Sequence, residues 1–341
     1  MPAQGSRMLA RMVFVVLVVV LLATASPALA AAAEEPVYRV RSYTLVDICP
    51  DGLPWTDYAP MRLPLPGPRD AEGVPLYRVG GKLYYRPGAL AINGMKRIDA
   101  YRDTGRVRQL RQALKQAKRL RKMAIRRRDA WWLPFWYAYP PASQRPPWYN
   151  AMTQGLVLSF FVRLHHVTGN PTHLRAARRV FRSFLRPGQS RTPWVAYVDG
   201  QRNLWLEHYP LREPDHILNA HLHAIFGIYE FWQATRSAMA RRVLEGAITT
   251  MRRNVHRYRH KGSISLYGLR SRAQNPKYHE IHVWQLTLLG LLSSDRYFLR
   301  MAARFRADRP PKGSVNGRPQ RLDRTIVGLH CHPRLSYSST A

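Results

Sequence analysis

Residues 205–219 read WLEHYPLREPDHILN and stand directly before a long, mostly apolar helix that we predict from about Asp215 to Ala234. Pro210 and Pro214 stiffen an extended approach to the helix, and Asp215 is placed to cap its first turn. Such a segment holds polar side chains at the positive end of a helix, where an anion is favoured. The same residues also suit an ordinary turn-rich loop, so the interpretation depends on whether other segments share this design.

Helices that are apolar on almost every side alternate with amphipathic helices along most of the chain. The apolar ones are predicted at about 149–167, 215–234 and 278–292, and an arginine-faced helix follows each of them. An earlier pair is predicted at about 88–102 and 107–124. A helix that is apolar all round must contact neighbours on every side, whereas a one-sided helix faces water. The alternation predicts a mainly α fold, an incomplete α/α toroid of about four helical hairpins.

The chain divides into four regions by composition. Residues 1–30 resemble a signal peptide, residues 31–87 are extended and turn-rich, residues 88–308 carry the helical pattern, and residues 309–341 form a loose basic tail. Within the second region, 37–40 and 83–85 are typical of short strands and 60–75 of a Pro/Gly linker.

The formal net charge is +34, from 54 Lys and Arg against 20 Asp and Glu. Such a charge favours a polyanionic partner, although an arginine-rich coding bias accounts for part of the excess. In the first 30 residues, Arg7 and Arg11 form a basic segment before a short apolar run, and Ala28-Leu29-Ala30 suits signal cleavage. Export argues against a nucleic-acid partner and leaves acidic glycans and envelope surfaces. Tethering to a membrane through an uncleaved signal is the alternative.

The two cysteines are Cys49 and Cys331. Export permits a disulfide, but nothing in the sequence shows that they meet. The run His330-Cys331-His332 does not predict a metal site, because three adjacent residues rarely all reach one ion and no fourth ligand is evident.

Polar and aromatic residues gather at the starts of the three apolar helices. They are Trp148, Tyr149 and Gln154 at the first, Glu207, His208, Tyr209 and Asn219 at the second, and Tyr278, His279, His282 and Gln285 at the third, after a loop with Tyr267 and Arg270. Alternation makes the inner helices parallel, so their N-termini meet at one mouth of the toroid. The sequence therefore predicts a site for a carboxylate-bearing ligand at this mouth. Each residue also suits packing, and His282 in particular suits a hydrogen-bonded core histidine.

Four ordered motifs resemble the C-terminal domain of D-glucuronyl C5-epimerases. They are Trp148-Tyr149-Asn150-Ala151-Met152-Thr153-Gln154-Gly155, Glu207/Tyr209-Pro210 with Leu218-Asn219, Ser265-Leu266-Tyr267-Gly268-Leu269-Arg270, and Tyr278-His279…His282…Gln285-Leu286. Their order and spacing agree with the family, apart from a shorter loop between Arg270 and Tyr278. The resemblance covers about Gly73 to Arg306.

The resemblance implies an α/α catalytic domain that acts on uronic acids within heparan- or heparosan-like chains, without a redox cofactor. It implies catalytic tyrosines at Tyr209, Tyr267 and Tyr278. We expect the chain to lack the family's larger N-terminal β domains. Whether the chain forms a homodimer is left open by the sequence. Two residues depart from the pattern: His208 replaces the acid before the tyrosine, with Glu207 one residue earlier, and Trp284 replaces an asparagine. These departures leave the uronate, and activity itself, open.

Epimerisation at C5 removes a proton next to a carboxylate and returns one to the opposite face of the sugar. Arg270 and Arg163 are predicted to neutralise the carboxylate. The phenols, with His208 and Glu207 as further catalytic candidates, carry the protons if cations lower the phenol pKa from about 10. The predicted substrate-binding set is completed by Tyr149, Gln154, Asn219, His282 and Gln285.

Two other functions fit the same residues. A polysaccharide lyase begins with the same proton abstraction, and an acidic-glycan binding protein needs no chemistry at all. A glycosidase needs paired carboxylates, and the mouth offers mainly Glu207.

Overall fold

Helices make up most of the computed structural model, which describes residues 37–48, 67–188 and 193–310. The helices are α1 Pro87–Thr104, α2 Val107–Met123, α3 Ala151–Thr168, α4 Pro171–Phe181, α5 Leu218–Thr235, α6 Ala238–Asn254, α7 Pro276–Leu292 and α8 Arg296–Asp308. The predicted signal at 1–30, both cysteines and residues 311–341 lie outside the described residues. Within those ranges, no helix combines the length and the apolarity that crossing a membrane requires.

Three short antiparallel hairpins lie between the helices. They pair β1 Tyr77–Val79 with β2 Lys82–Tyr84, β3 Ile125–Arg127 with β4 Ala130–Trp132, and β5 Ala196–Val198 with β6 Leu204–Leu206. The strand predicted at 83–85 corresponds to β2. The strand predicted at 37–40 is wrong, because the amide of Arg39 donates to the carbonyl of Arg202 in a turn (2.8 Å) and the amide of Arg41 to the side chain of Thr249 (2.9 Å).

The eight helices pack as four hairpins, α1 with α2, α3 with α4, α5 with α6 and α7 with α8. The odd-numbered helices also pack on one another in the order α1, α3, α5, α7. Nearly every residue of α3 and α5 is buried, whereas α2, α4, α6 and α8 bury one face and expose charged side chains on the other. This arrangement confirms the predicted incomplete α/α toroid.

Short polar side chains cap most helix starts. Asn150, Asn170, Ser237, Asn275 and Asp295 each accept a backbone N–H from the first turn of α3, α4, α6, α7 and α8. The predicted cap at Asp215 is wrong. α5 begins only at Leu218, and the carboxylate of Asp215 instead accepts the amides of Arg270 (2.8 Å) and Ser271 (2.7 Å).

The central pair of inner helices meets at two glycines. A methyl group on Gly155 of α3 would lie 2.8 Å from the Cα of Ala224, and one on Gly227 of α5 would overlap the carbonyl of Gly155. Farther along the same interface, the guanidinium of Arg163 binds the carboxylate of Glu230 through Nε–Oε2 (2.8 Å) and Nη2–Oε1 (3.1 Å). Close backbone packing and a buried ion pair therefore fix α3 against α5.

A buried histidine links α5 to its surroundings. Nδ1 of His221 accepts the amide of Leu206 in β6 (3.0 Å), so the proton of the neutral ring is on Nε2, which donates to the carbonyl of Ala247 in α6 (3.2 Å). Burial lowers the pKa of His221 to about 3. Protonation of Nδ1 would remove the acceptor for Leu206.

We expect Gly155→Ala and Gly227→Ala each to lower the free energy of unfolding, by about 1–3 kcal/mol or more, as overpacking in a core does. The direction of the change in unfolding free energy is informative, because helix propensity alone would make the alanine variants more stable by about 1 kcal/mol. Gly200→Ala is the matched control, since a methyl group there meets no atom within 4 Å. Urea denaturation measures all three, and stabilised glycine variants in the helices would contradict the close contact.

We expect acid to destabilise the fold through His221. Its pKa is about 3 when folded against the usual 6.5, so the unfolded chain binds more protons between those values and stability falls as pH falls. The slope from one such group is at most about 1.4 kcal/mol per pH unit. His221→Gln should flatten the dependence of the unfolding free energy on pH between 6.5 and 4, whereas exposed His256→Gln should leave it unchanged.

Candidate active site

The N-terminal ends of three inner helices open into one cavity of about 590 Å³. The residues that line it belong to the starts of α1, α3 and α7, to the aromatic segment before α3, to the segment before α5 and to the loop before α7; among them are Gly88, Asn150, Thr153, His208, Tyr209, Tyr267, Asn275 and Tyr278. The predicted gathering of helix starts at one mouth is therefore present, with α5 represented by the segment that precedes it.

Helix-start amides hold the two loops that bring tyrosines to the cavity. The first N–H of α3, from Ala151, donates to the carbonyl of Glu207 (2.8 Å). The first N–H of α5, from Leu218, donates to the carbonyl of Tyr267 (3.0 Å). These amides have no partner within their own helices, so the loops satisfy them and are fixed in return.

The three predicted catalytic tyrosines all line the cavity and form one contiguous cluster. The hydroxyl of Tyr209 is hydrogen-bonded to those of Tyr267 and Tyr139. The rings of Tyr267 and Tyr278 have centroids 4.5 Å apart, and Tyr139 stacks on Tyr209 at 5.8 Å. The structure therefore brings together the phenols that the sequence placed at the mouth.

Burial raises the pKa of Tyr209 and Tyr267 well above the usual value of 10, and the neighbouring phenols raise it further. The expectation that cations would lower these pKa values is wrong. For Tyr209, one effect acts in the opposite direction, because the hydrogen bond with Tyr267 lowers its pKa. Both phenols are therefore protonated at neutral pH, and Tyr209 has a donor that would stabilise its phenolate.

His208 lies in the cavity wall beside Tyr209, with ring centroids 4.4 Å apart. Burial lowers the pKa of His208 to about 4, so the ring is neutral at pH 7. Its Nδ1 atom is buried and has no hydrogen-bond partner among the described residues. A neutral imidazole in this place can accept a proton.

Glu207 lies behind the cavity wall and does not line it. Its Oε1 atom is 2.6 Å from Nδ1 of His216, whose ring stacks on Trp205 with centroids 3.9 Å apart. Burial raises the pKa of Glu207, and the hydrogen bond with His216 opposes that rise. The side chain predicted as catalytic therefore supports the segment that carries His208 and Tyr209.

Both arginines predicted to bind the carboxylate lie away from the cavity. The half-exposed Arg270 pairs with Glu213 (Nη2–Oε2, 2.7 Å). Arg163 is 4% exposed and is held by Glu230 in the interface of α3 and α5. The sequence shows that both residues are positively charged, but it does not show that each guanidinium is already paired with a carboxylate of this protein.

The other predicted binding residues lie behind the wall. Tyr149 packs edge-on against Trp132 with centroids 5.9 Å apart. The amide of Gln154 is bound by Leu133, Trp131 and Ser183 and holds the β3–β4 hairpin on α3. The remaining three, Asn219, His282 and Gln285, are buried between α5 and α7.

Arg86 is the residue that the sequence interpretation missed. Among the described residues that line the cavity, it is the single Lys or Arg. It directly precedes Pro87, the first residue of α1, and its guanidinium is hydrogen-bonded to Tyr137 and lies 5.5 Å from the ring centroid of Tyr77. The signal in the sequence was its position directly before a proline at a helix start.

Aromatic rings form the wall next to Arg86. Trp148 stacks on Phe135 with centroids 4.1 Å apart, and Tyr137 and Tyr139 complete the wall. Flat aromatic faces beside hydroxyl groups suit the apolar face of a sugar ring. The cavity thus combines an aromatic wall, a cation and a phenol cluster.

Comparison with known proteins gives one family and one fold. The family model described as D-glucuronyl C5-epimerase C-terminus matches residues 128–307, more than half of the 341-residue chain. Cellobiose 2-epimerase from Bacillus thermoamylovorans B4167 superposes with a TM-score of 0.52 at 12% identity, over 73% of this chain and 68% of that one. A sugar epimerase from a ruminal bacterium gives 0.51 at 15%, over 72% and 67%.

A GH76 α-mannanase from Bacteroides thetaiotaomicron also matches, with a TM-score of 0.45 at 11% identity, over 64% of this chain and 55% of that one. The chain thus spans little more than half the length of that structure. At these identities the likeness to solved structures shows the fold alone.

Proposed function

The chain belongs to the D-glucuronyl C5-epimerase C-terminus family, and on that premise we propose that it epimerises uronic acid residues at C5 within an acidic polysaccharide. The observation that carries the proposal is the phenol cluster of Tyr209, Tyr267 and Tyr278 in one cavity, where Arg86 is the single arginine among the described residues of the lining. The chemistry needs no more than a carboxylate-binding cation and groups that exchange protons with C5.

Arg86 is the residue that would bind the uronate carboxylate. Removing the C5 proton drives negative charge into that carboxylate, so a fixed cation there stabilises the transition state. Arg86 stands at the start of α1, where the positive end of the helix adds to the guanidinium charge. Arg270 and Arg163 are already paired with Glu213 and Glu230, which leaves this role to Arg86.

Tyr209 is the proposed base. A protonated phenol becomes a base only when it passes its proton on, and the neutral ring of His208 lies beside it. Because burial lowers the pKa of His208 to about 4, this ring would take the proton on one nitrogen only while releasing its own proton from the other. The hydrogen bond with Tyr267 would stabilise the resulting phenolate. Tyr278, adjacent to Tyr267, is the proposed acid that returns a proton to the sugar. His208 thus occupies the position of the acid in the family's Glu-Tyr-Pro segment and is proposed to take the proton of Tyr209.

The substrate is proposed to be a polymer outside the cytoplasm. The formal net charge of +34 favours an acidic chain, and the signal-like residues 1–30 favour export. The aromatic wall of Phe135, Tyr137, Tyr139 and Trp148 has room for sugar units next to the reacting one. Heparosan-like chains are the first substrates to test.

Deuterium incorporation tests the phenols. In D₂O, the wild-type protein should place deuterium at C5 of a uronate polymer and invert that centre. Tyr209→Phe should lose exchange and inversion by at least about a hundredfold, the lower scale for a positioned proton-transfer group. Tyr278→Phe should lose inversion while still exchanging deuterium. Tyr149→Phe is the control, because that phenol packs outside the cavity.

The outcomes separate the competing functions. An unsaturated, UV-absorbing chain end would identify a lyase instead, and binding without exchange would identify a glycan-binding protein. Wild-type activity in both cavity variants would exclude the phenols as proton carriers.

Replacing the cavity arginine tests carboxylate recognition. Arg86→Gln should lower kcat/KM for epimerisation by about a hundredfold or more, because the developing charge loses its counter-ion. Arg270→Gln, which removes an exposed guanidinium paired with Glu213, should stay within a few-fold of wild type. If Arg270→Gln instead lost more activity than Arg86→Gln in a steady-state assay, the binding of the substrate carboxylate would be assigned to Arg270 in the surface loop.

A further inference from the structure

Four buried polar atoms in and behind the cavity wall have no hydrogen-bond partner among the residues that the structure describes. They are Nδ1 of His208, Oδ1 of Asn219, Nε2 of His282 and Oε1 of Gln285. Leaving one such atom unsatisfied costs about 1–3 kcal/mol, so four together are expensive for packing alone. Buried polar atoms of this kind are usually satisfied by ordered water.

Three of these atoms lie between α5 and α7, and the fourth belongs to His208 in the segment before α5. The amide of Gln285 donates to the carbonyl of Asn219 (3.1 Å), which joins the two helices. His223, one turn after Asn219, interacts electrostatically with His208 on one side and with His282 on the other. The polar region therefore extends from the cavity wall to α7.

Hydrogen bonds continue from His282 toward a second opening. Nδ1 of His282 is 2.8 Å from Oγ of Ser265, and that Oγ is 3.0 Å from Nδ1 of His279. The backbone amide of Ser265 also donates to Nδ1 of His279, so the proton of that ring is on Nε2, which donates to the carbonyl of Arg309 (3.1 Å). His279 and Arg309 line a second cavity of about 330 Å³.

We propose that this region holds ordered water and forms an internal proton route from His208 in the reaction cavity, through His282, Ser265 and His279, to the second cavity. The route rests on the proposed function for its purpose, since it removes the C5 proton from the base after a turnover in one direction and returns a proton to it before a turnover in the other direction. At each imidazole, one nitrogen gains a proton as the other releases one, and the proton released from Nε2 of His279 passes to water in the second cavity. The Ser265 hydroxyl likewise gains one proton and releases another, so no charge remains on any link. The return transfer restores the original tautomers.

The chemistry of the links suits such transfer. Burial lowers the pKa of His208 to about 4 and that of His282 to about 3. Both rings are therefore neutral at pH 7, with one nitrogen able to donate and the other to accept. A cationic ring would trap the proton at one position.

Ser265→Ala tests the route with a minimal change. It removes the oxygen that joins two imidazoles and keeps the backbone amide bound to His279. In D₂O, we expect the ratio of deuterium at C5 of centres that have not inverted to the number of inverted centres to fall about tenfold, because the abstracted proton returns to the same face of the sugar before it exchanges. Ser293→Ala, which removes another buried hydroxyl at the end of α7, should keep the wild-type ratio.

A wild-type ratio in Ser265→Ala would overturn the route. An equal loss of exchange and inversion would also overturn it, because Ser265 would then only support the cavity wall. A high-resolution crystal structure of the unmodified protein gives a readout that does not depend on activity. Water within hydrogen-bond distance of Nε2 of His282 and Oδ1 of Asn219 is expected, and a dry region would reject the route even if the epimerase activity were established. No exchange by the wild-type protein, with that water present, would reject the proposed function instead.

Discussion

The backbone contact between α3 and α5 at Gly155 and Gly227 is the constraint on which the rest of the structure depends. With no side chain between them, the two helices approach closely enough for their whole surfaces to be buried. Larger residues would separate α3 from α5 and would move the segments that precede them. Because those segments carry His208 and Tyr209 on one side and Trp148 and Asn150 on the other, the distance between the two helices sets the width of the cavity.

The cavity depends on a second property of the same helices: the amides at their starts have no partner within the helix and can bind other segments. Ala151 and Leu218 bind the carbonyls of Glu207 and Tyr267, and Asp215 ties the segment before α5 to the loop at 268–271. A residue with a side chain at Gly268 would overlap the carboxylate of Asp215. Tyr209 and Tyr267 therefore stand on loops that are fixed by hydrogen bonds to the backbone, as a site that must hold groups to within a fraction of an ångström requires.

Burial determines the electrostatics of the site more than charge does. The chain carries a large positive charge, but the described part of the cavity wall has one arginine, and desolvation keeps Tyr209 and Tyr267 protonated and His208 neutral. The proposed chemistry is accordingly a transfer of protons between neutral groups, with Arg86 to balance the substrate's own charge. The neutral histidines behind the wall extend the same principle into the core.

The sequence by itself determined the helices, their alternation and the residues at their starts, because burial on one side or on all sides leaves a periodic pattern that needs no tertiary information. It also determined the family, since four ordered motifs are local. Only the tertiary structure decided which charged side chains face the cavity. Arg163 and Arg270 have the same charge as Arg86, but their carboxylate partners lie 67 and 57 residues away in sequence, and no local pattern shows such a pairing. The pKa of the phenols was likewise decided by packing, because desolvation depends on neighbours that the fold brings together from distant parts of the chain.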